Sequence, residues 1–102
     1  MNNIDQLQER IKGWHHILNH PDILPDKAFR RNAQVYELTT YVNHVIACYL
    51  SEYFDPIKIM IDRARIHMKE NPSKDIEYCS KIESYFKDLE LFLGYKANVT
   101  KL

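Results

Sequence analysis

Only two glycines, Gly13 and Gly94, and four prolines, Pro21, Pro25, Pro56 and Pro72, interrupt 102 residues. A β-rich chain of this length needs more turn glycines, because tight hairpin turns place residues at positive φ. Long periodic stretches with so few breakers predict helices. Hydrophobic residues make up 45 % and charged residues 27 %, enough for one modest globular core. The expected fold is all-α, a compact bundle of about four helices, mostly antiparallel, with a long second helix, forming a single domain over 1–102.

The first helix is expected over about 3–19, where Ile4, Leu7, Ile11, Trp14 and Leu18 recur every three or four residues. Asn3 is its candidate N-cap. Gly13 costs this helix about 1 kcal/mol relative to alanine. A close approach by Trp14 or a neighbouring helix would account for it. Pro21 ends the helix near His20, since a residue before proline avoids the α region.

The second helix is expected over 26–54, about 43 Å at 1.5 Å per residue. Its apolar face holds Leu38, Val42, Val45, Ile46, Tyr49, Leu50 and Tyr53. Asp55 is the expected cap of a third helix over 56–70, with Pro56 at its first position. Ile57, Met60, Ile61, Ala64 and Met68 form its stripe. Ser73 caps a fourth helix over 73–93, with Ile76, Cys79, Ile82, Phe86, Leu89 and Leu93 facing inward. Gly94 is a good terminator, leaving a fraying tail over 95–102.

The formal net charge is zero, whereas nucleic-acid binders usually carry a basic excess. No apolar run approaches the roughly 20 residues of a membrane span. The N-terminus has no signal-peptide apolar region. Cys48 and Cys79 match no CxxC or zinc-ribbon spacing and read as free thiols. A cytoplasmic setting is expected, with no membrane partner.

His16 and His20 are four apart and share a helix face, with His15 beside them; His44 and Cys48 form a second such pair. Two ligands do not make a metal site, and no third is fixed by the spacing. No Glu-x-x-His motif of a di-iron bundle is present. The chain also lacks a P-loop, a nucleophile elbow and a dinucleotide-binding glycine motif. The expectation is a non-enzyme with no metal and no cofactor.

Lys27, Arg30 and Arg31 open the second helix, where cations oppose the helix dipole, although Asp22 and Asp26 are near enough to pair with them. The third helix is basic. Arg63, Arg65 and His67 are candidate phosphate ligands, because arginine and histidine one turn apart can hold a phosphodiester. A solvated basic face is the competing reading. Gln34-Val35-Tyr36-Glu37-Leu38-Thr39, ahead of a long amphipathic stretch, resembles the corresponding helix of the nucleotidyltransferase-associated HEPN bundles. Those are four-helix proteins, often toxin partners or ribonucleases. The resemblance spans six residues and implies an RNA-acting bundle using the basic third helix. Its ribonuclease members space Arg and His by four residues, whereas Arg63 and His67 are separated by three.

Seven tyrosines, four phenylalanines and one tryptophan are many for 102 residues. Tyr36, Tyr41, Tyr49, Tyr53 and Phe54 all fall on the second helical stretch. Tyrosine hydroxyls need partners or water, and tyrosine dominates interface hot spots. The expectation is an interaction or regulatory protein. It would present Tyr36, Tyr41, Tyr49, Tyr53 and Phe54 to a second copy, as a homodimer, or to another protein. A core with tyrosine tips in water competes equally. Nucleic acid is the less favoured partner.

Overall fold

A computed structural model describes residues 3–19, 33–71 and 76–100, with side chains described over 4–19, 37–71 and 76–97. Four α-helices are described: α1 (Asn3–Leu18), α2 (Ala33–Leu50), α3 (Ile57–Glu70) and α4 (Ile76–Thr100). There is no strand among the described residues. The expected start of the second helix at 26, the Lys27, Arg30 and Arg31 cluster, His20 and the Ser73 cap lie outside them.

The core follows the 3.6-residue period closely in three helices. Leu7, Ile11 and Leu18 come from α1; Leu38, Val42, Val45 and Ile46 from α2; Ile57, Ile61 and Ala64 from α3. α1 packs mainly on α4 and α2 on α3, with a sparser seam between α3 and α4. Arg10 meets Asp88 while His15 meets Tyr85. Lys58 meets Glu90 while Arg65 meets Glu83.

α2 stops at Leu50, four residues short of the expected 54. Glu52 adopts φ 60°, the left-handed conformation usually left to glycine. Its N–H donates to Tyr49 O at 3.1 Å and the Tyr53 N–H donates to Cys48 O at 2.9 Å. This is the Schellman pattern, built on a glutamate, so no glycine announced it. The Ser51 hydroxyl donates to Ala47 O at 2.7 Å, a carbonyl that also accepts the Ser51 N–H at 3.0 Å. Asp55 does not cap α3. Pro56 occupies the N-cap position with no side-chain cap, and α3 begins one residue later than expected.

α4 departs most. It runs for 25 residues through Gly94, which is neither left-handed nor a terminator. Past it, Lys96 Nζ lies 5.7 Å from the centroid of the Phe92 ring, one turn back. Its inward face is broader than expected: Ile82, Phe86 and Leu89 are buried and Cys79 and Leu93 pack against the core as expected, while Ile76 does not. Ile76 is 77 % exposed, and Tyr78, Tyr85 and Phe92 join Ile82, Phe86 and Leu89 in the core. The added rings bury large apolar surfaces beside the aliphatic stripe.

Candidate functional site

His15 is 8 % exposed and is the one buried polar residue among those described. Its Nε2 lies 2.8 Å from the Tyr85 hydroxyl. The ring also meets Tyr49 and Tyr85 edge-on, at 5.2 Å from each. Burial lowers the His15 pKa, so the neutral ring is the form this environment favours. Burial raises the pKa of Tyr85 and of Tyr49, and a hydrogen bond with Gln8 partly offsets the latter.

Adjoining this cluster through Tyr49 lies a cleft of about 180 Å³ lined by Tyr49, Phe54 and Phe92, with Gln8, Glu52 and Lys96 at its edge. Tyr49, Phe54 and Phe92 pack in tilted and edge-on pairs with centroids 5.2 to 6.1 Å apart. Leu50 also lines the cleft and is 68 % exposed. Tyr53 is 61 % exposed. The Schellman turn at Glu52 fixes this corner, because it carries the chain from α2 straight into Tyr53 and Phe54.

Tyr49, Tyr53 and Phe54 are thereby gathered at one corner. Tyr41 stands apart, half-buried, with its ring 6.1 Å from that of His67. The Tyr36 side chain lies outside the described residues.

A second cleft, of about 230 Å³, opens between α2 and α3. It gathers Glu37, Tyr41, Arg63, Ile66, His67 and Glu70. His67 Nδ1 lies 3.6 Å from Glu37 Oε2. Arg63 and His67 thus share one recess, as their four-residue spacing requires. Arg65, two residues from Arg63, points elsewhere. Its Nε is 3.2 Å from Glu83 Oε1 and its Nη2 is 2.7 Å from Glu90 Oε1. Lys58 Nζ reaches Glu90 Oε2 at 2.9 Å. The hydrogen bond from Arg65, reinforced by Lys58 against the opposing effect of burial, lowers the Glu90 pKa to about 2.

The residues that sequence reasoning missed are Tyr85, Phe92, Glu37 and Glu70. The seven-residue recurrence of Tyr78, Tyr85 and Phe92 could have revealed the first two. Nothing local marks Glu37 as a neighbour of His67, since 30 positions separate them. His44 is exposed and Cys48 half-buried, and both cysteines are free. No group of three His, Cys, Asp or Glu side chains among the described residues is placed to hold a metal ion. No described helix is long and apolar enough to cross a membrane.

Comparison with protein-family models, curated proteins and solved structures finds no match for this chain. The six-residue likeness to the HEPN bundles therefore stands without a family behind it.

Proposed function

We propose that this chain is a non-enzymatic interaction or regulatory protein of a cytoplasmic setting. It docks a second copy of itself or another protein through the α2 end of the bundle. The observation that carries this reading is the corner where exposed Leu50 and Tyr53 flank a cleft walled by Tyr49, Phe54 and Phe92. Aromatic anchors beside a small recess are the composition of interface hot spots. We read the helices as mostly antiparallel neighbours: positions rise along α1 from Arg10 to His15 as they fall along α4 from Asp88 to Tyr85. That arrangement brings the α2–α3 turn and the last turns of α4 to one end.

The test is light-scattering mass at two protein concentrations, for the wild type and for Leu50→Ser with Tyr53→Ser. A mass that rises with concentration in the wild type and not in the variant supports self-association here. A monomer throughout removes the homodimer. Undiminished capture of a native-host partner by the double variant removes the corner.

The rival reading is nucleic-acid binding at the α2–α3 cleft. It draws on the shared placement of Arg63 and His67. Glu37 and Glu70 line the same recess and oppose a phosphate there. Arg65 is committed to Glu83 and Glu90. Binding of RNA that falls steeply with salt, with a slope flattened in Arg63→Ala, would favour this reading; no binding at low salt would end it.

A further inference from the structure

His15 lies one ring away from the exposed corner. Its imidazole stands edge-on to Tyr49, with centroids 5.2 Å apart and planes at 76°. Tyr49 in turn meets Phe92 at 5.2 Å and Phe54 at 6.1 Å, and those two rings meet each other at 5.4 Å. The Tyr49 carbonyl also accepts the Glu52 N–H, part of the turn that leads into Tyr53 and Phe54. Tyr49 therefore touches the buried histidine on one side and holds the ring wall and the backbone turn of the corner on the other.

The groups packed around His15 leave it without a counter-ion. From α4, the Tyr85 hydroxyl lies 2.8 Å from Nε2. Asp88, one turn further along α4, is bound to Arg10 and Trp14. From α2, Tyr49 is the ring in contact, and Glu52 beyond it is exposed. On α1 itself, Lys12 and His16 are exposed. α3 supplies no ion pair, hydrogen bond or ring contact to His15 among the described residues. Burial alone lowers the pKa of the ring.

A proton on His15 is thus a whole charge in an apolar setting, and the cost of burying it is relieved when the ring reaches water. Tyr49 is half-buried, touches His15 and lines the cleft, so its displacement is the short route from ring to solvent.

We propose that His15 is a proton-operated latch on the docking corner. Neutral, it holds Tyr49 as the inner wall of the cleft; protonated, it displaces Tyr49 and dismantles the surface formed by Tyr49, Phe54 and Phe92. The use of the latch rests on the docking reading above, whereas the movement itself does not. The latched form binds fewer protons. It is complete above the ordinary histidine value of about 6.5 and gives way as pH falls below it. A single proton reduces the docking-competent fraction by at most about tenfold per pH unit.

The test is an NMR pH titration of the isotope-labelled full chain, following the His15 Cε1–H and the rings of Tyr49, Phe54 and Phe92, with far-UV circular dichroism alongside. Phe54 and Phe92 are expected to shift with the His15 midpoint, below about 6.5, while helical ellipticity holds. His15→Gln keeps a polar group towards Tyr85 and does not titrate, so it should flatten the profile of the corner. In Tyr49→Leu, His15 should still titrate while Phe54 and Phe92 stop following it. Where His15→Gln fails to fold, Tyr49→Leu carries the test. If the wild type self-associates at neutral pH, its dissociation constant by light scattering should rise by up to about tenfold per pH unit below the midpoint and stay level in His15→Gln.

Corner rings that stay still across the His15 titration overturn the inference. So does a profile unchanged in His15→Gln, or ellipticity lost with the same midpoint, since the corner would then report global unfolding. Phe54 and Phe92 that keep following His15 in Tyr49→Leu overturn it too, as does self-association indifferent to pH while the rings move. A chain monomeric at every pH removes the homodimer and leaves the ring titration to decide the latch.

Discussion

α4 is held to its two neighbours by different physics. Against α1 it uses buried and half-buried polar contacts, Tyr85 with His15 and Asp88 with Trp14, set among apolar side chains, with a single ion pair among the described residues, Arg10 to Asp88 at 2.9 Å. Against α3 it adds partly exposed ion pairs, in which Lys58 and Arg65 converge on Glu83 and Glu90. A buried hydrogen bond is expensive to break, because the partner left behind stays desolvated. A surface ion pair is screened, and in this cluster Arg65 and Glu90 each keep a second partner when one is lost. The α1 seam should therefore be brittle and specific, the α3 seam forgiving.

The largest effect expected is from Tyr85→Ala, which opens a cavity the size of a ring and should cost about 3–5 kcal/mol in denaturant unfolding. Tyr85→Phe keeps the ring and removes only the hydroxyl that faces His15. It should cost about 1–3 kcal/mol. A loss as small as that of a surface substitution would show that the seam owes its stability to ring packing alone.

Acid should separate the two seams by pH. The folded chain holds His15 with a lowered pKa, so the unfolded chain takes up its proton first. Stability from this group is complete above the ordinary histidine value of about 6.5 and falls as pH drops below it. Glu90 is also depressed, from 4.5 to about 2, so its contribution is complete above 4.5 and is lost between these values as pH falls. Melting temperatures against pH should show both arms. His15→Gln should remove the upper arm and Glu90→Gln the lower one. An upper arm that survives in His15→Gln would mean that another group titrates there.

Glu52→Gly tests the corner that both seams leave free. Relief of the left-handed backbone should raise stability by about 1 kcal/mol with no change elsewhere. The smallest effect is expected from Glu90→Gln at neutral pH. This should cost under about 1 kcal/mol and shrink further in high salt, in contrast to the salt-insensitive loss in Tyr85→Phe.

How much was legible follows from the range of each signal. The stripes of α1 and α3 were readable because hydrophobic spacing is local and the burial it predicts needs only one partner face. The sharing of a face by Arg63 and His67 was equally local. Arg63 and Arg65 are about 200° apart around the helix, so their separation was implicit, but the carboxylates that claim Arg65 were not. The end of α2 was missed because a left-handed residue is usually signalled by glycine and here is a glutamate. On α4 the stripe through Ile82, Phe86 and Leu89 was readable, but the burial of Tyr78, Tyr85 and Phe92 beside it was not, because tyrosine at a stripe's edge can equally face water.

The sequence by itself determined the helical class, the breaks near the prolines and the sides of α1 and α3 that turn inward. These follow from backbone sterics and from a 3.6-residue period that acts within a few turns. The tertiary structure alone decided which aromatic rings close the core, that His15 is buried against Tyr85, and that Gly13, where a close approach was expected, has no described neighbour within 4 Å of where a Cβ would stand. Those outcomes depend on what each helix meets across the bundle, and pairings between distant residues leave no periodic trace along the chain.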